Sequence, residues 1–160
     1  MRFKLLTMFA AVLLLAACET ASDQNANTGG AGGAGAGSGV RCTGCQEELV
    51  ATVGDRVFFD FDKSDLKPEA RATIQRWAAY LKKYPNVSVT VEGHCDERGT
   101  REYNIALGER RATAAKNFLT SLGIPANKVS TISYGKERPA VVGSNEAAWS
   151  QNRRAVMVIN

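Results

Sequence analysis

What most limits the fold of this chain is a stretch with nothing to bury. From Glu19 to Gly39 the sequence is almost entirely Gly, Ala, Ser, Asn and Thr, with Glu19 and Asp23 its only charges and no large apolar side chain. Such a segment cannot offset the conformational entropy that folding would cost, so it reads as a flexible tether. A Gly-rich coil of this length has an r.m.s. reach of roughly 25 Å and a stretched limit of roughly 70 Å. Any packed core is therefore expected in residues 41–160, and what precedes the tether must be a separate unit.

That preceding unit has the pattern of an export signal. Arg2 and Lys4 stand before an apolar run from Leu5 to Leu15, which closes on Leu15-Ala16-Ala17-Cys18. A basic start, an apolar stretch of roughly 7 to 15 residues and small residues at the cleavage point mark a secretory signal, whereas a membrane-spanning helix needs about 20 apolar residues. The cysteine directly after Leu-Ala-Ala resembles the lipobox of bacterial lipoproteins, which implies cleavage before Cys18 and lipid attached to its sulfur. Several acyl chains on one residue give the stable anchoring that one chain alone does not. The expected organisation is a signal peptide at 1–17, lipidated Cys18 and tether at 18–40, and one domain at 41–160.

The formal charge of +4 falls to +2 once Arg2 and Lys4 are removed. The remaining charges are interspersed, so nothing supports nucleic-acid binding. With Cys18 assigned to lipid, Cys42 and Cys45 in Arg41-Cys42-Thr43-Gly44-Cys45 are a candidate disulfide for an oxidising compartment, and Cys95 stands alone. A redox centre finds little support at a linker edge with no preceding strand. Zinc would need two more ligands at finger-like spacing, so no metal is expected.

Within the domain, Val57 to Phe61 reads as a short strand, and Pro68 opens a helix where its missing N–H costs nothing. Ile74, Trp77, Ala78 and Leu81 fall at i, i+3, i+4 and i+7, one buried helical stripe. Val87, Val89 and Val91 alternate with polar residues as a half-buried strand, which Gly93 is expected to break. A helix from Glu102 to Leu122 ends at Gly123 and Pro125, and Val129 to Tyr134 and Ala155 to Ile159 read as two more strands, with a short helix at Asn145 to Ser150 between them. The expected fold is α/β (an α+β sandwich) of order βαβαβ-(α)-β, with helices packed on a four-stranded mixed sheet.

Chemistry concentrates in Gly93-His94-Cys95-Asp96-Glu97-Arg98-Gly99-Thr100, a loop that leaves the carboxyl end of a strand and enters a helix, where α/β sheets usually bind ligands. On that helix Asn104, Leu107, Arg111, Ala115 and Phe118 share one face, so Arg111 projects from a side that is otherwise mostly core. A guanidinium there requires an anion, whether Asp96 or Asp62 of the protein itself or a ligand; Arg110 reads as a surface charge. Thr100 is a candidate helix cap. Cys95 beside His94 and Asp96, ahead of a helix N-terminus, is the arrangement an enzyme with an activated thiol would use, and a packed histidine with an unreactive thiol explains the same residues.

The run GHCDERGTREYNIALGERRA, Gly93 to Ala112, resembles the signature of the OmpA-like peptidoglycan-binding domain. Asn104-x-x-Leu107-x-x-x-Arg111-Ala112 matches its helical segment, and the likeness extends over 54–160 through Phe59-Asp60-Phe61-Asp62-Lys63, Ser133-Tyr134-Gly135-Lys136-Glu137-Arg138-Pro139 and Asn152-Arg153-Arg154-Ala155. The resemblance implies a non-enzymatic protein that binds the diaminopimelate residue of the peptidoglycan stem peptide without a cofactor. Asp96 would meet the ammonium of that zwitterion and Arg111 its carboxylate, with Asp96 also orienting the guanidinium in the empty site. By position, Phe61, Asp62, Arg98, Thr100 and Asn104 join them. For a lipoprotein of this family the resemblance further implies the outer membrane and the Tol system, including a TolB-like periplasmic propeller whose contact surface overlaps the wall-binding site. Cys95 departs from the small residue common in the family, and Glu19 follows Cys18 at a position that helps sort lipoproteins between membranes.

Overall fold

The computed structural model describes residues 44–160. The expectations for the signal segment, for Cys18, for the tether and for Cys42 concern residues outside that range.

Pro68 takes the first helical position of α2 (Pro68–Lys83), where no N–H is missed, and Lys82 and Lys83 close its last turn beside the negative end of the helix dipole. Ile74, Trp77, Ala78 and Leu81 are buried as one stripe. The other long helix, α3 (Arg101–Ser121), starts on Thr100, whose hydroxyl accepts the Tyr103 N–H, and ends ahead of Gly123 at φ 93°. The strands are β1 (Arg56–Phe58), β2 (Val89–His94), β3 (Val129–Gly135) and β4 (Arg154–Ile159). They form one mixed sheet in the order β1-β4-β2-β3: β4 runs antiparallel to both β1 and β2, and β2 runs parallel to β3. Val57, Val89, Val91, Ala155 and Met157 face Ile74, Trp77, Ala115 and Leu119 in one core. The short α4 (Glu146–Asn152) is capped by Asn145, whose side chain accepts the Ala148 N–H.

Three departures from the sequence expectation have physical causes. The first strand stops at Phe58, although Phe59 stays buried and its N–H still donates to the Arg153 carbonyl; the chain then bends into a turn closed by Lys63 N–H on Asp60 O. Asp62 sits in that turn at φ 56°, a left-handed conformation that aspartate tolerates. Gly93 does not break β2, which continues to His94. It is glycine because α3 crosses there: a Cβ on Gly93 would lie 1.9 Å from the Gly108 carbonyl oxygen, and one on Gly108 would meet Ser133 Oγ at 2.3 Å. The two glycines let the helix backbone settle onto the strand, which brings the start of α3 over the β2 exit. Pairing shifts at this point, with Gly93 opposite Ser133 and His94 opposite Gly135, so Tyr134 is an extra residue on β3.

The third departure is α1 (Cys45–Thr52), which has no apolar stripe to announce it. It buries Leu49 and Cys45 in the core and is otherwise held by polar contacts. The Gln46 amide accepts the Ile159 N–H at 2.8 Å and donates to the Met157 carbonyl at 3.4 Å, taking up part of the β4 edge beyond the start of β1. Tyr80 donates to the Cys45 carbonyl, and Glu48 accepts from Tyr80 and Tyr84. Cys45 is buried and disulfide-bonded.

His94 points to the sheet face opposite the helices, as the strand alternation demands, and its ring lies 5.6 Å from that of Tyr134. Burial, helped by the Arg154 and Arg138 guanidiniums, pushes its pKa down to about 4, although a Glu92 carboxylate oxygen stands 3.5 Å from Nε2.

Two measurements follow. Gly93→Ala should lower stability by about 2–4 kcal/mol in urea unfolding, because backbone and not a flexible side chain must yield. For His94, the unfolded chain binds more protons than the folded one between pH 6.5 and about 4. Its contribution is therefore complete above pH 6.5 and is lost as pH falls toward 4, a loss of about 2–3 kcal/mol. Urea melts across that window should show a flatter pH dependence in His94→Gln than in the parent.

Candidate functional site

The exit of β2, the turn after β1 and the first turns of α3 enclose a cavity of about 150 Å³. Six of the seven residues expected to bind line it: Phe61, Asp62, Asp96, Arg98, Asn104 and Arg111. Thr100 caps α3 instead of facing the cavity. Thus one strand exit, one turn and one helix bring together residues up to 50 positions apart in sequence.

Arg111 is completely buried. Its Nε donates to the Lys63 carbonyl at 2.8 Å, Nη1 to the His94 carbonyl at 2.8 Å and Nη2 to the Asp60 carbonyl at 3.1 Å. The Phe59 ring lies 5.2 Å from the guanidinium carbon. Burial lowers its pKa from the ordinary value, but a guanidinium remains a cation in proteins. None of the ion pairs among the described residues involves Arg111. This corrects the expectation that Asp96 orients it. Main-chain carbonyls hold the guanidinium because the turn after β1 places two of them over the middle of α3. Three of its five N–H groups are so used, the Cys95 thiol also lies within hydrogen-bonding range of the guanidinium, and Arg111 lines the cavity with what donor capacity is left.

Asp96 has its own cations. Oδ2 accepts from Arg98 Nη2 at 2.6 Å and from Arg153 Nη1 at 3.3 Å, while Oδ1 accepts from the Arg98 backbone N–H and Nε. Burial would push the carboxyl up, yet the hydrogen bonds from Arg98 and Arg153 together outweigh it and hold the pKa below the ordinary carboxylate range. Arg153 is fixed in turn by the Phe59 carbonyl and by Glu146. Arg98 lies between two aromatic rings, 3.9 Å from Phe61 and 4.0 Å from Trp149. Asp62 is exposed at the rim and accepts a hydrogen bond from Tyr103. Asn104, 2% exposed, donates to the Arg98 and Thr100 carbonyls and so shapes the loop. Lys136 ties the same loop through the Glu97 and Gly99 carbonyls.

Sequence reasoning assigned no role to Arg153, Trp149, Tyr103 or Lys136. Arg153 lies in a quoted motif, Asn152-Arg153-Arg154-Ala155, which was its available signal. Trp149 had none, because only the fold brings α4 against the loop.

The activated-thiol arrangement does not assemble. Cys95 points into the cavity wall, is 3% exposed and donates to the Asn104 carbonyl at 3.3 Å, and burial pushes its pKa up to about 11. His94, its neighbour on an extended backbone, points to the other face. A buried, protonated thiol is a weak nucleophile. Among the described residues no group of three or more His, Cys, Asp or Glu is placed to hold a metal ion, and no helix is long and apolar enough to cross a membrane.

Comparison with known proteins agrees with this architecture. Residues 58–153 match the model of the OmpA family. The chain is 50% identical over 152 residues to a peptidoglycan-associated lipoprotein of Rhizobium meliloti, covering 95% of this chain and 86% of that one. A protein of the same description from Agrobacterium fabrum is also 50% identical over 152 residues, with the same coverage. Among solved structures, the peptidoglycan-associated lipoprotein from Burkholderia pseudomallei superposes with a TM-score of 0.65 at 42% identity, covering 66% of this chain and 90% of that one. With the family model matched over more than half of its length and relatives 50% identical over nearly all of it, the chain belongs to the OmpA family.

Proposed function

We propose that this protein is an outer-membrane lipoprotein, anchored through Cys18, that binds peptidoglycan noncovalently at the diaminopimelate residue of the stem peptide and so ties the outer membrane to the cell wall. The coarser part of this reading rests on relatives named peptidoglycan-associated lipoprotein. The finer part rests on Arg111. A fully buried cation that borders a cavity, keeps donor capacity beyond its three carbonyl bonds and forms no ion pair among the described residues suits an anion of carboxylate shape.

Free diaminopimelate ends in a carboxylate and an ammonium on one carbon. In the proposed complex the carboxylate meets Arg111 and the ammonium meets Asp96, with Phe61, Asp62, Arg98 and Asn104 shaping the cavity and Thr100 holding the helix start. The role carries partners: the Tol–Pal system in envelope integrity and cell division, with a TolB-like propeller competing for the same face. The buried thiol and the absence of a neighbouring base favour binding over catalysis.

The test is co-sedimentation of the mature chain, carrying Cys18→Ser for solubility, with purified sacculi. Diaminopimelate-containing sacculi should pull the protein down, and sacculi with lysine in that position should do so poorly. Asp96→Asn and Arg111→Lys, checked for cooperative melting above the assay temperature, should each lose about tenfold or more in binding, as expected when one charged partner of a desolvated pair is removed. Equal sedimentation by the parent and both variants would refute the assignment.

A further inference from the structure

Asp96 has no room for a ligand as it stands. A carboxylate offers about four lone-pair sites. All four are taken: the Arg98 N–H at 3.1 Å and Nε at 3.2 Å on Oδ1, and Arg98 Nη2 at 2.6 Å and Arg153 Nη1 at 3.3 Å on Oδ2. An ammonium can reach this carboxylate only by displacing one of the two arginines.

They are not equally displaceable. Arg153 is 7% exposed in its side chain and has two further anchors, the Phe59 carbonyl at 3.1 Å and Glu146 at 2.5 Å. The Arg98 side chain is 31% exposed, and among the described residues its only hydrogen bonds go to Asp96. Its remaining support is stacking between Phe61, itself 56% exposed, and Trp149. A guanidinium between two aromatic faces keeps favourable contact while it turns away from a carboxylate, because stacking depends little on where the N–H groups point. The same guanidinium lines the cavity that Arg111 borders.

We infer that Arg98 is the specificity-determining residue of this site: it occupies Asp96 in the free protein as an internal stand-in for the ligand's ammonium, and binding exchanges one cation for the other. The inference rests on the peptidoglycan reading above. Its consequence is selectivity by exchange. A ligand presenting a cation to Asp96 replaces what it removes, whereas a neutral or anionic end would strand a buried carboxylate with half of its partners gone. Arg98 therefore weakens binding of the correct ligand somewhat and of an amine-blocked ligand much more. Trp149, with its indole N–H on Glu97 Oε1 at 3.0 Å, stays in place as Arg98 turns beside it and so reports the exchange.

The experiment titrates the mature Cys18→Ser chain with a stem tripeptide ending in diaminopimelate, and with the same peptide acetylated on the free amine of that residue. Calorimetry gives affinity and tryptophan emission gives the state of Arg98. Trp77 is fully buried in the core and does not line the cavity, and a Trp149→Phe variant identifies which indole responds. Arg98→Gln keeps an alkyl stem between the rings but removes the cation. The expected results are roughly three- to tenfold tighter binding of the free-amine peptide by Arg98→Gln, and an emission change in the parent that Trp149→Phe abolishes. The acetylated peptide should bind the parent weakly and without that emission change. Equal or weaker binding of the free-amine peptide by Arg98→Gln would overturn the exchange while leaving the peptidoglycan reading intact. No binding of that peptide by the parent would remove the reading and the exchange together.

Discussion

The site depends on one buried guanidinium and the three carbonyls it holds. Arg111 joins the turn after β1, through Asp60 and Lys63, to the end of β2, through His94. The turn carries Phe61 and Asp62, and the strand exit carries Asp96 and Arg98, so a single side chain sets the distance between the two walls of the cavity. It reaches them only because Gly93 and Gly108 let α3 lie close on the sheet. A shorter cation could not hold three carbonyls at once, and a neutral residue would leave them buried without a donor, at a cost of about 1–3 kcal/mol each.

In the proposed role the charges around this hub serve recognition more than stability. Arg98 and Arg153 hold Asp96, Arg111 lines the same cavity, and Asp62 stands at its rim. Bringing a zwitterion into such a site strips water from every group involved, and that desolvation offsets most of the Coulomb gain. The affinity for one stem peptide is accordingly expected to be modest. In the proposed role this suffices, because many anchored copies on long tethers face a repeating polymer, and once one copy is bound the next attachment is intramolecular in effect.

Much of this was legible in the residues. Regular spacing gave α2 its buried stripe, alternation gave β2 its faces, and the Thr100, Pro68 and Asn145 starts were readable from side-chain chemistry alone. Arg111 stood out because a charge on a core face demands a partner. What spacing could not give was the partner: carbonyls leave no mark in a sequence, and Asp96 was the nearest acid in sight. Gly93 misled for a related reason. Glycine marks both a break and a close approach, and only the position of Gly108 on the crossing helix tells them apart. The helix at Cys45–Thr52 was missed because it buries only Cys45 and Leu49, too few for a stripe, and is otherwise docked by hydrogen bonds of Gln46, Glu48 and Tyr80, which have no periodicity. Family resemblance supplied the ligand, and the geometry added Arg153 and Trp149 around Asp96.

The central claim is that a carboxylate belongs on the Arg111 guanidinium where it borders the cavity. The most direct measurement is a crystal structure of the domain soaked with a diaminopimelate-bearing peptide. The account predicts the terminal carboxylate of that residue within hydrogen-bond distance of Arg111, about 2.7–2.9 Å, with its ammonium on Asp96. A peptide bound elsewhere, or one whose carboxylate avoids Arg111, would contradict it.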